Sequence, residues 1–185
     1  HEKTWHLVKT LPHVSGLFVW TGFDYLGEPT PYWWPSRSSF FGIVDLAGFP
    51  KDVYYMYKSE WTDEPVLHIF PHWNWKEGER VDIWAYYNNA DEVELYLNGK
   101  SLGVRQKTDS TYHVSWRVPF TPGTLRAVSR LGGKEVLVKE IHTAGEPARL
   151  VLTPDRSVIQ ADGSDLSFVT VDVCDTVSYT HLRAH

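Results

Sequence analysis

At 185 residues, 42% hydrophobic and 22% charged, the chain has the composition of one large or two small folded domains rather than of a disordered segment. Its formal net charge of −5, with no cluster of Lys and Arg, argues against a phosphate-binding surface and hence against a nucleic-acid partner. No apolar run reaches the roughly 18 to 20 residues of a membrane span, so no membrane partner is expected.

The chain opens on His1 rather than Met, so we expect its native N-terminus, with any targeting signal, to lie upstream. The lone Cys174 excludes an internal disulfide and a thiolate metal cage. Nine tryptophans are more informative. Rings this large are either core or flat platforms for a sugar, and Trp5, Trp20, Trp33, Trp34 and Trp61 fall in the first third of the chain.

Taken in order, "HEKTWHLVK" has the apolar spacing of a short helix, through Trp5, Leu7 and Val8. "LPHVSG" breaks it. "LFVW", residues 17–20, reads as a strand buried on both faces, of the kind found in parallel sheets. "GEPTPYWWPSRSS" then forms a long proline-rich loop, and loops of that length are often functional. "FPKDVYYMYKSEW" returns to a helix, with Pro50 in its first turn and Val53, Met56 and Tyr57 at helical spacing. Helix, buried strand, loop and helix together make one unit of an α/β architecture, over residues 1–63.

After residue 64 the period drops to two. Strands are predicted over 66–70, 81–88, 92–97, 101–106, 112–118, 124–130 and 134–142, with hairpin signals at Asn98-Gly99 and Gly132-Gly133. Seven short strands at that spacing predict an immunoglobulin-like sandwich over 64–146, although the Cys–Trp–Cys signature is absent. Residues 147–176 open a second β-sandwich, truncated, because so short a stretch cannot bury a core of its own. The final "VSYTHLRAH", 177–185, breaks the alternation and resembles a translated sequencing adapter, so a non-native tail is expected there; the alternative is an ordinary frayed terminus. The fold class is therefore mostly β.

"GLFVWTGFDYLGEPTPYWWPSRSSFFGIVDLAGFPKDVYYMYKSEW" resembles the last strand, loop and helix of the (β/α)8 catalytic barrel of glycoside hydrolase family 2, in its Bacteroidetes-type β-galactosidase group. "LHIFPHWNWKEGERVDIWAYYNNADEVELYLNGKSLG" resembles the immunoglobulin-like domain that follows the barrel, and "PARLVLTPDRSVIQADGSDLSFVTVDV" the start of the next sandwich. The resemblance covers residues 1 to about 175 and implies a carbohydrate substrate and a periplasmic or extracellular bacterial enzyme; ions assist some relatives, but no ligand cluster here supports a metal, so no cofactor is expected. It also implies retaining hydrolysis by two glutamates, carried on earlier barrel strands, so no catalytic residue is expected in this chain. What it carries over is Trp20, which the family places against the sugar at the end of the eighth strand.

Asp24 is the second candidate substrate contact: it either hydrogen-bonds a sugar hydroxyl or holds its loop. Glu28, in a Gly-Glu-Pro turn, is expected to be loop structure. His68 and His72 have a metal-ligand spacing on a helix, but the segment reads as a strand with Pro71, so no metal site is expected. Trp73 and Trp75 read as domain-junction packing, a sugar platform being the alternative. Arg37, with Ser36, Ser38 and Ser39, either lines the pocket rim or pairs with Asp45 or Asp52. Cys174 reads as a strand residue, and no nucleophile elbow supports a Ser–His–Asp triad. Two rivals to the hydrolase reading remain: a stand-alone carbohydrate-binding module, with exposed coplanar rings on the sandwich, and a structural accessory domain, with every Trp buried.

Overall fold

The structure is a computed structural model that describes residues 1–184, with side-chain surroundings through Thr180. Helix α1 (Glu2–Thr10) is followed by an irregular segment and by helix α2 (Asp52–Trp61). Asp52 in the first turn and Lys58 in the last both complement the dipole of α2. Seven strands follow: β1 (Leu67–Phe70), β2 (Arg80–Tyr87), β3 (Glu92–Leu97), β4 (Lys100–Arg105), β5 (His113–Pro119), β6 (Thr124–Leu131) and β7 (Lys134–His142). They form two antiparallel sheets, ordered β1-β2-β5 and β4-β3-β6-β7. The expected seven strands are all present, each within a residue or two of its predicted bounds.

Alternation makes this sandwich. In β5 the inward Val114, Trp116 and Val118 are buried while Ser115 and Arg117 between them are exposed. Ile83 and Ala85 of one sheet meet Val93, Leu95, Leu125 and Ala127 of the other, all at 0% exposure. Burying each larger aliphatic side chain contributes roughly 1.5–3 kcal/mol. Both two-residue turns have two positive φ values: Asn98 and Gly99 at 51° and 80°, Gly132 and Gly133 at 56° and 78°. That is the twist a tight hairpin needs, and Gly and Asn reach it at low cost.

The residues before the sandwich pack onto the outer face of β1-β2-β5. Met56 and Tyr57 of α2 form a second buried cluster with Tyr86 and Tyr112, with Trp5, Val19, Ile43 and Phe70 at its margin. Polar contacts stitch the same junction. Tyr86 donates to Glu2 Oε1 (3.0 Å), whose carboxylate also meets His113 Nδ1 (2.8 Å), while His68 Nε2 meets Asp52 (2.8 Å).

Two readings of the sequence are corrected here. Residues 17–20 form no strand: Phe18 is fully exposed and Trp20 is 73% exposed. A strand buried on both faces needs hydrogen-bonded neighbours, and the nearest parallel pairing is a single bridge, Phe23 with Val44. The final segment, read as breaking the strand pattern, also includes a strand, which bears on its conformation and not on its expected origin. Strands β8 (Arg149–Pro154), β9 (Val169–Cys174) and β10 (Thr180–Ala184) form a third antiparallel sheet, with β9 central. Backbone pairing needs no alternation of side chains, so the open edge of β9 accepts this segment. His185, the last residue of the expected tail, lies outside the described residues. Cys174 is a buried strand residue, as read. No described helix is long and apolar enough to cross a membrane.

Candidate functional site

The segment from Thr21 to Gly27 lies against residues 37–44. Ile43 donates its amide to the Thr21 carbonyl (3.1 Å), Val44 to Gly22 (3.0 Å), Asp24 to Val44 (2.9 Å), and Gly27 to Arg37 (2.7 Å). Ser39, fully buried, donates its amide to the Tyr25 carbonyl (2.8 Å) and accepts the Tyr25 amide on Oγ (3.0 Å). The chains approach so closely that a Cβ on Gly42 would stand 2.2 Å from the Asp24 nitrogen. Glycine is required there.

Asp24 is the centre of this arrangement. Its Oδ1 accepts the Gly42 amide (2.8 Å) and its Oδ2 pairs with Lys51 Nζ (2.7 Å). The side chain is 7% exposed, and both of these contacts hold its own loop. Lys51, at the N-cap of α2, also donates to the Phe40 carbonyl (3.1 Å). Neither Lys51 nor Gly42 was legible as a site residue, since each acts on a partner far along the chain and belongs to no local motif.

Trp20 faces outward. Its ring meets Tyr25 edge-on, centroids 6.3 Å apart, and Tyr25 meets Phe41 in the same way at 6.1 Å. Tyr25 Oη donates to Glu28, and that hydrogen bond, ahead of burial, raises the phenol above its ordinary value. Glu28 is thus tied to the aromatic that supports Trp20. Beyond it the proline-rich loop exposes Tyr32, Trp33 and Trp34, the last capped by the Arg37 guanidinium 4.6 Å from its ring. Arg37 therefore stacks on an aromatic face.

The other candidates are occupied separately. His68 stacks on Tyr55 (3.8 Å between centroids) and His72 on Trp75 (4.8 Å), each ring with its own partner. Trp73 is 1% exposed, donates Nε1 to the Thr121 carbonyl (3.1 Å) and packs on Phe120. Trp75 packs on the edge of the same core. Packing is thus their role. On the outer sheet face Trp84 lies flat against His113, at 3.8 Å and 8°.

A family model described as "Domain of unknown function (DUF4982)" matches residues 78–137, the centre of the sandwich. "Beta-galactosidase BoGH2A" of Bacteroides ovatus is 63% identical over 175 residues, covering 95% of this chain and 21% of that protein. A solved β-glycosidase from Bacteroides vulgatus superposes with a TM-score of 0.88 at 35% identity, over 97% of this chain and 23% of that one. A solved glycosyl hydrolase family 2 member from Bacteroides cellulosilyticus gives 0.83 at 32%, over 97% and 28%. β-Glucuronidases stand among the more distant relatives. The chain spans about a fifth of the length of curated relatives such as these.

Proposed function

We propose that this chain, which resembles glycoside hydrolase family 2 enzymes along nearly its whole length, is the C-terminal part of a retaining, β-galactosidase-like glycosidase. In this reading residues 1–63 end the (β/α)8 catalytic barrel, 64–146 are the immunoglobulin-like sandwich, and 147–176 begin a further one. The parent enzyme removes terminal β-linked sugars from oligo- or polysaccharides. The observation that carries the proposal is an exposed Trp20 on a tightly clamped segment, in a chain 63% identical to a β-galactosidase.

The chemistry follows from what that segment offers and lacks. Barrel active sites gather at the C-terminal ends of the strands, where Trp20 would stand. A flat indole covers the apolar face of a sugar ring, and the Tyr25–Phe41 edge contacts keep it upright. Retaining hydrolysis needs two carboxyl groups ~5 Å apart across the scissile bond. Asp24 is held by Gly42 and Lys51, and Glu28 by Tyr25, so neither is free for that work. Both catalytic glutamates are therefore assigned to strands upstream of residue 1. A binding-module reading gains no support from the sandwich, whose Trp73 and Trp116 are buried and whose Trp84 is covered by His113.

Steady-state kinetics on a nitrophenyl galactoside test the proposal. In the enzyme that carries this chain, Trp20→Ala should lower kcat/KM by about ten- to hundredfold, a loss of ~1.4–2.8 kcal/mol of transition-state stabilisation. Glu28→Gln should retain most activity, and the 185-residue chain alone should show none. Turnover by the isolated chain, or a Trp20→Ala enzyme as fast as the parent, would overturn it.

A further inference from the structure

Two groups of contacts described above meet at one residue. Toward the rim, Lys51 binds Asp24 Oδ2 and the Phe40 carbonyl through Nζ, and its own amide donates to the Ile43 carbonyl (2.9 Å). Toward the sandwich, Lys51 is the N-cap of α2, a helix whose Met56 and Tyr57 are buried with Tyr86 and Tyr112. His68 on β1 meets Asp52, the next residue along. At the far end of α2, the Asn88 side chain donates to the carbonyls of Thr62 and Glu64 (3.1 and 2.9 Å). The helix is thus pinned at both ends to the β1-β2-β5 sheet, and its N-cap residue closes the segment that bears Trp20.

We infer that Lys51 is a positioning residue for the sugar-facing rim, transmitting the seat of α2 on the sandwich to the Trp20 segment through Asp24. The inference rests on the reading of Trp20 as a sugar platform. It gives the sandwich a part in catalysis beyond that of an appendage, because the rim is built on a helix that the sandwich holds. The physical need is plain. Asp24 is buried, and without Lys51 its carboxylate keeps only the Gly42 amide, so the loop must open to hydrate it. A displacement of about 1 Å in a positioning group can cost ~100-fold in rate.

Two measurements on Lys51→Met and Lys51→Arg decide it. In the 185-residue chain, amide hydrogen exchange should accelerate in Lys51→Met at Asp24, Gly42, Ile43 and Val44 by about tenfold or more, the size expected for losing a hydrogen bond between charged groups. Exchange at Ile83 and Leu125 in the sandwich core should not change. In the enzyme that carries the chain, Lys51→Met should lower kcat/KM on nitrophenyl galactoside about ten- to hundredfold, and Lys51→Arg should restore most of it. If Trp20→Ala slows the enzyme and Lys51→Met does not, the positioning role is wrong while the Trp20 reading stands. If Trp20→Ala has no effect, that reading fails and the inference falls with it. Unchanged exchange around Gly42 in Lys51→Met also overturns it.

Discussion

Asp24 and Gly42 show how one close approach sets a local structure. The Asp24 carboxylate takes an amide on one oxygen and an ammonium on the other, so it is fixed in direction as well as in charge. Gly42 lets the two backbones come together, and any side chain there meets the Asp24 nitrogen, the Phe23 carbonyl carbon and the Val44 oxygen, all within 2.6 Å. Those are backbone atoms and cannot swing aside. Gly42→Ala should therefore destabilise this segment by about 1–3 kcal/mol, as overpacking does elsewhere. Hydrogen exchange should show the loss at Thr21–Val44 while the sandwich keeps its protection. Equal protection of the segment in both proteins would mean that the backbones separate without cost.

At the scale of elements, the junction between the helices and the sandwich is held by charge as well as by apolar area. Glu60 on α2 accepts Trp5 Nε1 and Lys9 Nζ from α1, both at 3.0 Å, with Lys107 3.6 Å away. Burial opposes its ionisation, but the hydrogen bonds from Trp5 and Lys9 and the charge of Lys107 outweigh burial and hold its carboxyl below the ordinary 4.5. Lys107 is itself pushed down by burial, with Glu60 opposing, and its shortest bond is to the Tyr87 carbonyl at 2.7 Å. A carboxyl depressed in the folded state stabilises it above the unfolded value, and that stabilisation is lost as pH falls through the folded one. Docking of α1 and α2 should therefore weaken below about pH 4.5, and Glu60→Gln should flatten that acid limb. Near-UV circular dichroism of the 185-residue chain, followed from pH 7 to 3, reads it; an unaltered limb in Glu60→Gln would assign the transition to other carboxylates.

For the whole molecule, the sandwich holds the larger of the two buried clusters among the described residues. Around it, Phe18, Trp20, Trp33 and Trp34 on one side and Leu150, Leu152 and Phe168 on the third sheet are exposed. Apolar area of that extent marks interaction surfaces rather than ordinary solvent-facing ones. Limited proteolysis should cut first in the proline-rich loop, residues 28–38, and only later in α2, which is seated on the sheet. A chain covering residues 64–146 should still unfold cooperatively with a β-type circular dichroism spectrum, since its core residues all lie within those bounds. It should melt lower than the 185-residue chain, because Phe70, Tyr86 and Tyr112 lose the helices that cover them. First cleavage inside β2 or β6 would contradict this order of stability.

Local signals were enough for the sandwich. Alternation of period two and two hairpin dipeptides located all seven strands, because inward and outward faces are written in successive residues and tight turns demand Asn or Gly. The two helices were legible from their apolar spacing, whereas Trp20 was singled out by a resemblance, and its sugar-facing role is the proposal made above. Residues 17–20 were misread because an apolar run tells how much a segment wants burial, while its strand depends on neighbours that supply hydrogen bonds. Strand β10 went unread in the opposite sense, since it pairs through backbone groups that side-chain periodicity does not report. Asp24 could be read two ways for a related reason. Its partners Gly42 and Lys51 lie 18 and 27 positions along the chain, so no local pattern links the three, and only folding, which brings a helix N-terminus against a loop, places this carboxylate between them.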